Sequence, residues 1–444
     1  MPDAVDNLSG ADSAKAAPPG EGAALFQLVR PKGQMAVPVG GRAGLEDVVP
    51  RATGTLVRRG EILVQSWPDS AAAPLAPADG RIAGWGMVQV SSRLTTAGIF
   101  FRPDPDATAP PPPPPVSATV AELVARLGEM NLAAAIEKLR CGGVWADRWT
   151  TPDLLGQLRQ CLHKPIDVIL CNVLDEAPEQ LLHSQVAKAF PVEMTAGIAA
   201  LAALTKASQA TIVMAAYGDA EALDGVRMAA AGTRVKVVRL QDHYPQSHPS
   251  LLIHEMTGRH VRPIKLPAEG GVLVIGAPAA VAVGRCLLLD EPMLDVPVAL
   301  RDRWTGLTHW LRVPVGAYWS QALAHVSITA PRVEMRSGNP LREVRLTQEC
   351  VAGGADLTVT VGAQEKFANA DPCIRCAWCM EGCPVRIQPA GLLEAAQQDD
   401  PYMADQYGLD ACIECGICSY VCPSNLQILA GIRSLRQAHN RNQV

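Results

Sequence analysis

Two cysteine runs near the end of the chain restrict its folding more than any other feature. They read Cys373-Ile-Arg-Cys376-Ala-Trp-Cys379-Met-Glu-Gly-Cys383-Pro384 and Cys412-Ile-Glu-Cys415-Gly-Ile-Cys418-Ser-Tyr-Val-Cys422-Pro423. Each has the form C-x2-C-x2-C-x3-C-P, the spacing by which two-cluster proteins hold [4Fe-4S] cubanes. Three thiolates, each three positions on from the last, share one tight loop and reach three corners of a cube. The fourth cysteine leads away into a helix and ligates the other cluster. This crossing assigns Cys373, Cys376, Cys379 and Cys422 to one cluster, and Cys412, Cys415, Cys418 and Cys383 to the second. The proline after each fourth cysteine cannot continue a regular strand and helps turn the chain away. Zinc sites use four ligands in two paired knuckles and have no use for a third C-x2-C step. A disulfide framework suits a short secreted chain, and no secretory signal is expected here. Cys141, Cys161, Cys171, Cys286 and Cys350 stand singly and read as inert thiols.

At 444 residues the chain is long enough for about three domains. Apolar residues make up 48% and charged ones 19%, with a formal charge of −5, so no electrostatic footprint for nucleic acid exists. A mean hydropathy of +0.10 fits a chain that hides surface against partners. No window has the run of apolar residues that a membrane span needs, so no direct span is expected. The nearest, Ile198 to Ala216, is broken by Lys206, Ser208 and Gln209 and reads as a helix followed by a strand. Asp3, Asp6 and Asp12 precede any basic residue, unlike a secretory leader. Unpaired cysteines and oxygen-sensitive clusters point to the cytoplasm.

Composition divides the chain into units. Residues 1–22 are rich in Ala, Pro, Gly, Ser and Asp and read as a disordered tail. Residues 23–105 hold short β-type runs such as Thr55-Leu56-Val57 and Ile62-Leu63-Val64 between glycines, the pattern of a small all-β domain. Residues 106–117, with an unbroken Pro110 to Pro115, form a stiff linker. Across 118–300 the period becomes helical: Thr119-x-x-Glu122 is a capping box, with Val120, Leu123, Val124 and Leu127 behind it. Apolar runs Val168 to Cys171, Ile212 to Ala215, Val235 to Val238 and Val272 to Ile275 alternate with helical stretches, which predicts a parallel α/β sheet. Residues 301–364 read as a small α+β unit, 365–436 as the cluster module, and 437–444 as a fraying tail. The fold class is thus multidomain α/β and α+β.

This order of parts resembles the RnfC subunit family of membrane-bound Rnf electron-transport complexes, whose middle domain is related to the flavin-carrying subunit of complex I. The likeness is sharpest in Asp371-Pro-Cys-Ile-Arg-Cys and in Cys412-Ile-Glu-Cys-Gly-Ile-Cys-Ser-Tyr-Val-Cys-Pro-Ser-Asn425. Weaker echoes are Tyr244-Pro245-Gln246, Thr257-Gly258-Arg259 and Leu311-Arg312-Val313-Pro314-Val315-Gly316. The resemblance implies a barrel-sandwich β domain, a flavin-subunit-like α/β domain, a β-grasp-like unit and a dicluster ferredoxin-type module. The β domain offers no lysine at the turn where a prosthetic group would be attached, so its expected role is docking. The family's middle domain opens with a loop of type G-x-G-G-x-x-F-P, where bare amides approach phosphate. Here the stretch reads Cys141-Gly142-Gly143-Val144-Trp145-Ala146-Asp147-Arg148-Trp149. A family segment N-G-A-E-C-E-P appears as Asn172-Val-Leu-Asp175-Glu176-Ala177-Pro178, and Ser247-His248-Pro249-Ser250 follows the Tyr-Pro-Gln echo.

The expected function is that of an iron–sulfur electron-transfer subunit. It would be peripheral on the inner face of the cell membrane, passing single electrons through two [4Fe-4S] clusters. Its partners would be other subunits of a membrane redox complex and a separate electron-donor protein or flavoprotein. The alternative is a complete NADH:acceptor oxidoreductase with FMN on the α/β domain, since one-electron clusters need a two-electron converter upstream. Valine and tryptophan in the glycine stretch argue against FMN and against independent NADH oxidation. No acid–base pair or nucleophile motif stands out; His163, His309 and His254-Glu255 read as surface or core residues.

Overall fold

The computed structural model describes residues 25–41, 43–105, 116–145, 149–176, 181–241, 243–328, 333–353, 357–363 and 369–442. The expected N-terminal tail, most of the proline linker and Ala146, Asp147, Arg148, Ala177 and Pro178 lie outside them.

The chain opens with β1 (Gln27–Leu28) and the strands β2 (Met35–Pro38), β3 (Val49–Pro50), β4 (Leu56–Val57), β5 (Val64–Ser66), β6 (Gly80–Ser91) and β7 (Leu94–Pro103). Four of them form a sheet of order β2-β7-β6-β4, and β3 pairs with β5 in a second, small sheet. Alternation along β6 and β7 buries Ile82, Ile99 and Phe101 between them. Helices α1 (Val120–Ala125) and α2 (Leu132–Cys141) follow. The reciprocal capping box forms at the start of α1: the Glu122 amide donates to Thr119 Oγ1, and the Thr119 amide donates to the Glu122 carboxylate at 2.7 Å.

The middle unit runs α3 (Leu154–His163), β8 (Val168–Asn172), α4 (Leu182–Ala189), α5 (Pro191–Thr205), β9 (Gln209–Ala215), α6 (Ala220–Ala230), β10 (Val235–Leu240), α7 (Pro249–Thr257), β11 (Val272–Gly276) and α8 (Ala277–Leu289). The four strands are all parallel, in order β10-β9-β8-β11. Each expected apolar run lies in one of them. Every residue of β8 and β11 is buried, as parallel strands covered on both faces require. The stretch Ile198 to Ala216 divides into the end of α5 and β9. Among the described residues no single helix is long and apolar enough to cross a membrane; α4 and α5 together reach the length, but they meet at 95°.

The next sheet is mixed. Its strands are β12 (Asp295–Asp302), β13 (Thr308–Pro314), β14 (Glu334–Ser337), β15 (Val344–Leu346) and β16 (Thr358–Gly362), with α9 (Trp319–His325) between β13 and β14. The order is β1-β13-β12-β16-β14-β15, with β12 parallel to β16 and the other pairs of this unit antiparallel. Two features depart from the sequence reading. The sheet starts at Asp295, inside the stretch assigned to the α/β unit, and β1 adds to it in parallel, Gln27 opposite Leu311. One apolar core accordingly runs from Phe26 to Val361. The cysteine module has its own core, built on Leu392, Ile428 and Ile432. Its helices are α10 (Trp378–Glu381), α11 (Pro389–Gln398), α12 (Pro401–Gln406), α13 (Ile417–Tyr420) and α14 (Ile428–Asn442). The last helix continues through Asn442, into the polar stretch expected to fray.

Candidate iron–sulfur centre

The two cysteine runs fold as copies of one another. In the first, Arg375 and Ala377 have φ of 55° and 65°, and α10 follows at once. In the second, Glu414 and Gly416 occupy the matching positions with φ of 54° and 84°, and α13 follows. Three residues beyond each fourth cysteine, Arg386 and Asn425 also take left-handed backbone, ahead of α11 and α14. Alternating handedness turns successive amides to one side, the backbone concavity that receives anions. In the second loop the amide of Glu414 donates to Cys412 Sγ at 3.4 Å.

The fourth cysteine of the first run, Cys383, crosses to the second. An apolar cavity is lined by Cys412, Cys415 and Cys418 together with Cys383 of the other run, and closed by residues such as Ile387 and Ile432. On the opposite side the Asp371 amide donates to the Ser424 carbonyl, and Ser424 Oγ donates to the Pro372 carbonyl, both at 3.0 Å. These bonds tie the residues just before Cys373 to those just after Cys422. Burial first, and the nearby thiols after it, push Cys415 up to about 11 and Cys418 up to about 12. Iron must therefore displace protons to load this cavity. Among the described residues no three His, Cys, Asp or Glu side chains converge on the scale of a single metal ion. Eight thiols in two repeated loops, with Cys383 crossed into the second loop's apolar cavity, fit two cubanes.

The two loops differ in cover. Cys373 and Cys376 are exposed, whereas Cys412, Cys415 and Cys418 are buried. The inner loop is roofed by the rest of the chain. Tyr244 Oη donates to the Cys415 carbonyl at 2.5 Å, and Trp149, Ile413 and Cys415 share one buried apolar cluster with Leu251. Arg433 Nη2 donates to the Arg342 carbonyl at 2.7 Å. Glu414 sits at the centre of an arginine cluster, taking Arg433 at 2.9 Å and Arg436 at 2.7 Å, with Arg93 of the N-terminal β unit at 3.8 Å. Sequence reasoning missed this roof. Its one outward signal was the Tyr244-Pro245-Gln246 echo. The five single cysteines stand elsewhere; Cys171, Cys286 and Cys350 are buried, and Cys141 and Cys161 are held near 11 mainly by burial.

Among the described residues, the two stretches where an FMN phosphate would be expected are occupied by the chain itself. Gly142 is in contact with Cys286, whose Sγ a Cβ there would overlap, and a Cβ on Gly143 would lie 2.9 Å from Leu75. These glycines serve packing, and their amides donate to the Lys138 and Arg140 carbonyls. At the N-terminus of α4, where an anion would be held, the Asp175 carboxylate accepts from the amides of His183 and Ser184 and from Ser184 Oγ. The amide of Gly276, ahead of α8, donates to Thr151 Oγ1 at 2.6 Å. The space between the strand ends and the inner loop holds Trp149, with Arg342 stacked 3.6 Å over its ring and His248 edge-on at 4.7 Å. Arg342 also pairs with buried Glu176 at 2.5 Å. Burial, then Arg342 and Arg436, lower His248 to about 3, so it is neutral; its Nδ1 accepts from the Ser250 amide and caps α7.

A family model described as the Nuo51 FMN-binding domain matches residues 157–285, downstream of Gly142-Gly143, and one described as the 4Fe-4S dicluster domain matches 365–423. The dicluster match supports two [4Fe-4S] clusters. Over 183 residues the chain is 24% identical to the C subunit of the proton-translocating ferredoxin:NAD(+) oxidoreductase complex of Clostridium ljungdahlii, covering 40% of each chain. It is 28% identical over 199 residues to the C subunit of the ion-translocating oxidoreductase complex of Pasteurella multocida, covering 43% of this chain and 23% of that one. With the protein of that name from Rhodobacter capsulatus it shares 27% over 184 residues, covering 40% and 36%. The chain thus spans two fifths or less of these relatives. Among solved structures, an NAD+-reducing [NiFe]-hydrogenase in the H2-reduced state superposes with a TM-score of 0.50 at 13% identity, over 74% of this chain and 64% of that one. That likeness is one of fold.

Proposed function

We propose that this chain, a homologue of the C subunits of ion-translocating oxidoreductase complexes, is their iron–sulfur electron-transfer component. Cys373, Cys376, Cys379 and Cys422 hold an outer [4Fe-4S] cluster, and Cys412, Cys415, Cys418 and Cys383 hold an inner one. The single observation that carries this reading is the cavity in which Cys383 meets Cys412, Cys415 and Cys418. Two clusters in one small module have no evident use except moving single electrons. In a complete complex the chain lies on the inner face of the membrane without spanning it and receives electrons from a separate protein. The strand order of the mixed sheet is that of a β-grasp unit, and the N-terminal strands are read as a barrel-sandwich that docks the chain to other subunits.

The match to an FMN-binding domain favours a second reading, a full NADH:acceptor oxidoreductase. The packing around Gly142 and Gly143 and the Asp175 carboxylate on the first amides of α4 oppose it. The test of the first reading is chemical analysis of anaerobically purified protein. About eight iron and eight sulfide per chain are expected, with an EPR spectrum of two magnetically coupled cubanes on reduction. Zinc, or iron for one cluster alone, would overturn it.

A further inference from the structure

The repeat within the module shows how a loop of this kind is covered. Matching Cys373 to Cys412 sets Ile374 against Ile413, Arg375 against Glu414, Cys376 against Cys415 and Trp378 against Ile417. On the inner loop Ile413 is only 3% exposed, packed with Trp149 and Tyr244, and the second cysteine's carbonyl takes the Tyr244 hydroxyl. The residue just before the second cysteine, Glu414, meets opposite charges. On the outer loop the same positions have no cover: Ile374 is 66% exposed and Trp378 54%. Exposed Met380 and Tyr420, on the packed helices α10 and α13, belong to the same end of the module. Arg375 is exposed and has no ion-pair partner among the described residues.

Resting on the two-cluster reading above, we infer that the outer loop is the docking face for a protein one-electron carrier. That carrier presents an apolar, aromatic-bearing surface and places a carboxylate on Arg375. The inner loop supplies the template for each element: rings over the isoleucine, a donor to the second cysteine's carbonyl, and a countercharge beside it. Reversal of sign from Glu414 to Arg375 makes the countercharge acidic. Electron transfer falls steeply with distance, so a carrier has to approach where the thiolates reach the surface, at Cys373 and Cys376. A patch of this modest size suits the small, weak interfaces of electron-transfer encounters. The step is simple in balance: the carrier loses one electron, the outer cluster gains it, and no bond forms or breaks.

The test uses the full-length holoprotein and a reduced, acidic [2Fe-2S] ferredoxin as the probe, mixed anaerobically at low ionic strength. The second-order rate of cluster reduction is divided by the rate with dithionite, which needs no docking. Arg375→Glu installs the residue that the inner loop already carries at the same left-handed backbone, so the loop can accept it. Arg375→Glu and Trp378→Ser should each lower the ratio about tenfold, the scale of one lost contact of roughly 1.4 kcal/mol. Asp399→Lys, on the far end of α11, should leave it within about twofold. Wild-type ratios in both loop variants would overturn the inference. So would unchanged ratios with loss of a dimer in the ultracentrifuge, which would assign the face to a second copy, or with loss of binding to anionic phospholipid vesicles, which would assign it to a membrane. Wild-type protein with no clusters for dithionite to reduce would instead defeat the two-cluster reading itself.

Discussion

Replacing Glu414 with glutamine preserves the side chain's size and removes one charge at the centre of the inner cysteine loop. Burial alone would raise this carboxyl, but Arg436 and Arg433 outweigh it and hold it below the ordinary carboxylate range. The group is therefore charged at neutral pH, and its loss strands two guanidiniums. Breaking a fully buried pair by removing one partner costs about 3–5 kcal/mol. Here the Glu414 side chain keeps 24% of its exposure and that of Arg436 21%. Solvent takes up part of the stranded charge, and the expected loss falls to about 2 kcal/mol. With a urea slope of about 2 kcal/mol/M for a unit of this size, the midpoint for cluster loss should move down by roughly 1 M. The assay is an anaerobic urea titration of the holoprotein followed by its cluster absorbance. An unshifted midpoint at wild-type iron content would refute the claim that this arginine cluster holds the inner loop in place.

Two further outcomes follow from the same geometry. Gly416→Ala should lose the inner cluster and roughly half the iron. The matching outer residue is Ala377, also left-handed, so backbone conformation alone does not forbid alanine; overlap of the new Cβ with the Leu341 carbonyl does, at about 1–3 kcal/mol. Full iron in this variant would show that the loop does not press on Leu341. Gently purified wild-type protein should release no stoichiometric flavin on denaturation and should not oxidise added NADH rapidly. Stoichiometric FMN reducible by NADH would restore the oxidoreductase reading.

Local pattern carried much of this architecture. The cysteine spacing specifies a loop geometry within a dozen residues, and the parallel strands announce themselves because each is a short apolar run buried on both faces. The neighbours that crowd Gly142 and Gly143, Cys286 and Leu75, are distant in sequence and were not visible in the letters around them. What the sequence did not reveal depends on distant pairing. Nothing near Gln27 indicates that it lies beside Leu311, and nothing in Cys-Ile-Glu-Cys against Cys-Ile-Arg-Cys tells which loop is roofed. The roof comes from Trp149, Tyr244 and Arg342, which are spread over almost two hundred positions and meet only in the folded chain. Asp175 reads as a surviving acidic residue of a cofactor segment, yet it accepts from the amides of His183 and Ser184 at the start of α4.

The central claim is the crossing of the fourth cysteines, and Cys383→Ala tests it most directly. Reference spectra come from Cys415→Ala, which should retain only the outer cluster, and Cys376→Ala, which should retain only the inner one. The account predicts that reduced Cys383→Ala gives the EPR spectrum of Cys415→Ala, because Cys383 lines the cavity of Cys412, Cys415 and Cys418. A spectrum matching Cys376→Ala would mean that each run holds its own cluster, and would contradict the account.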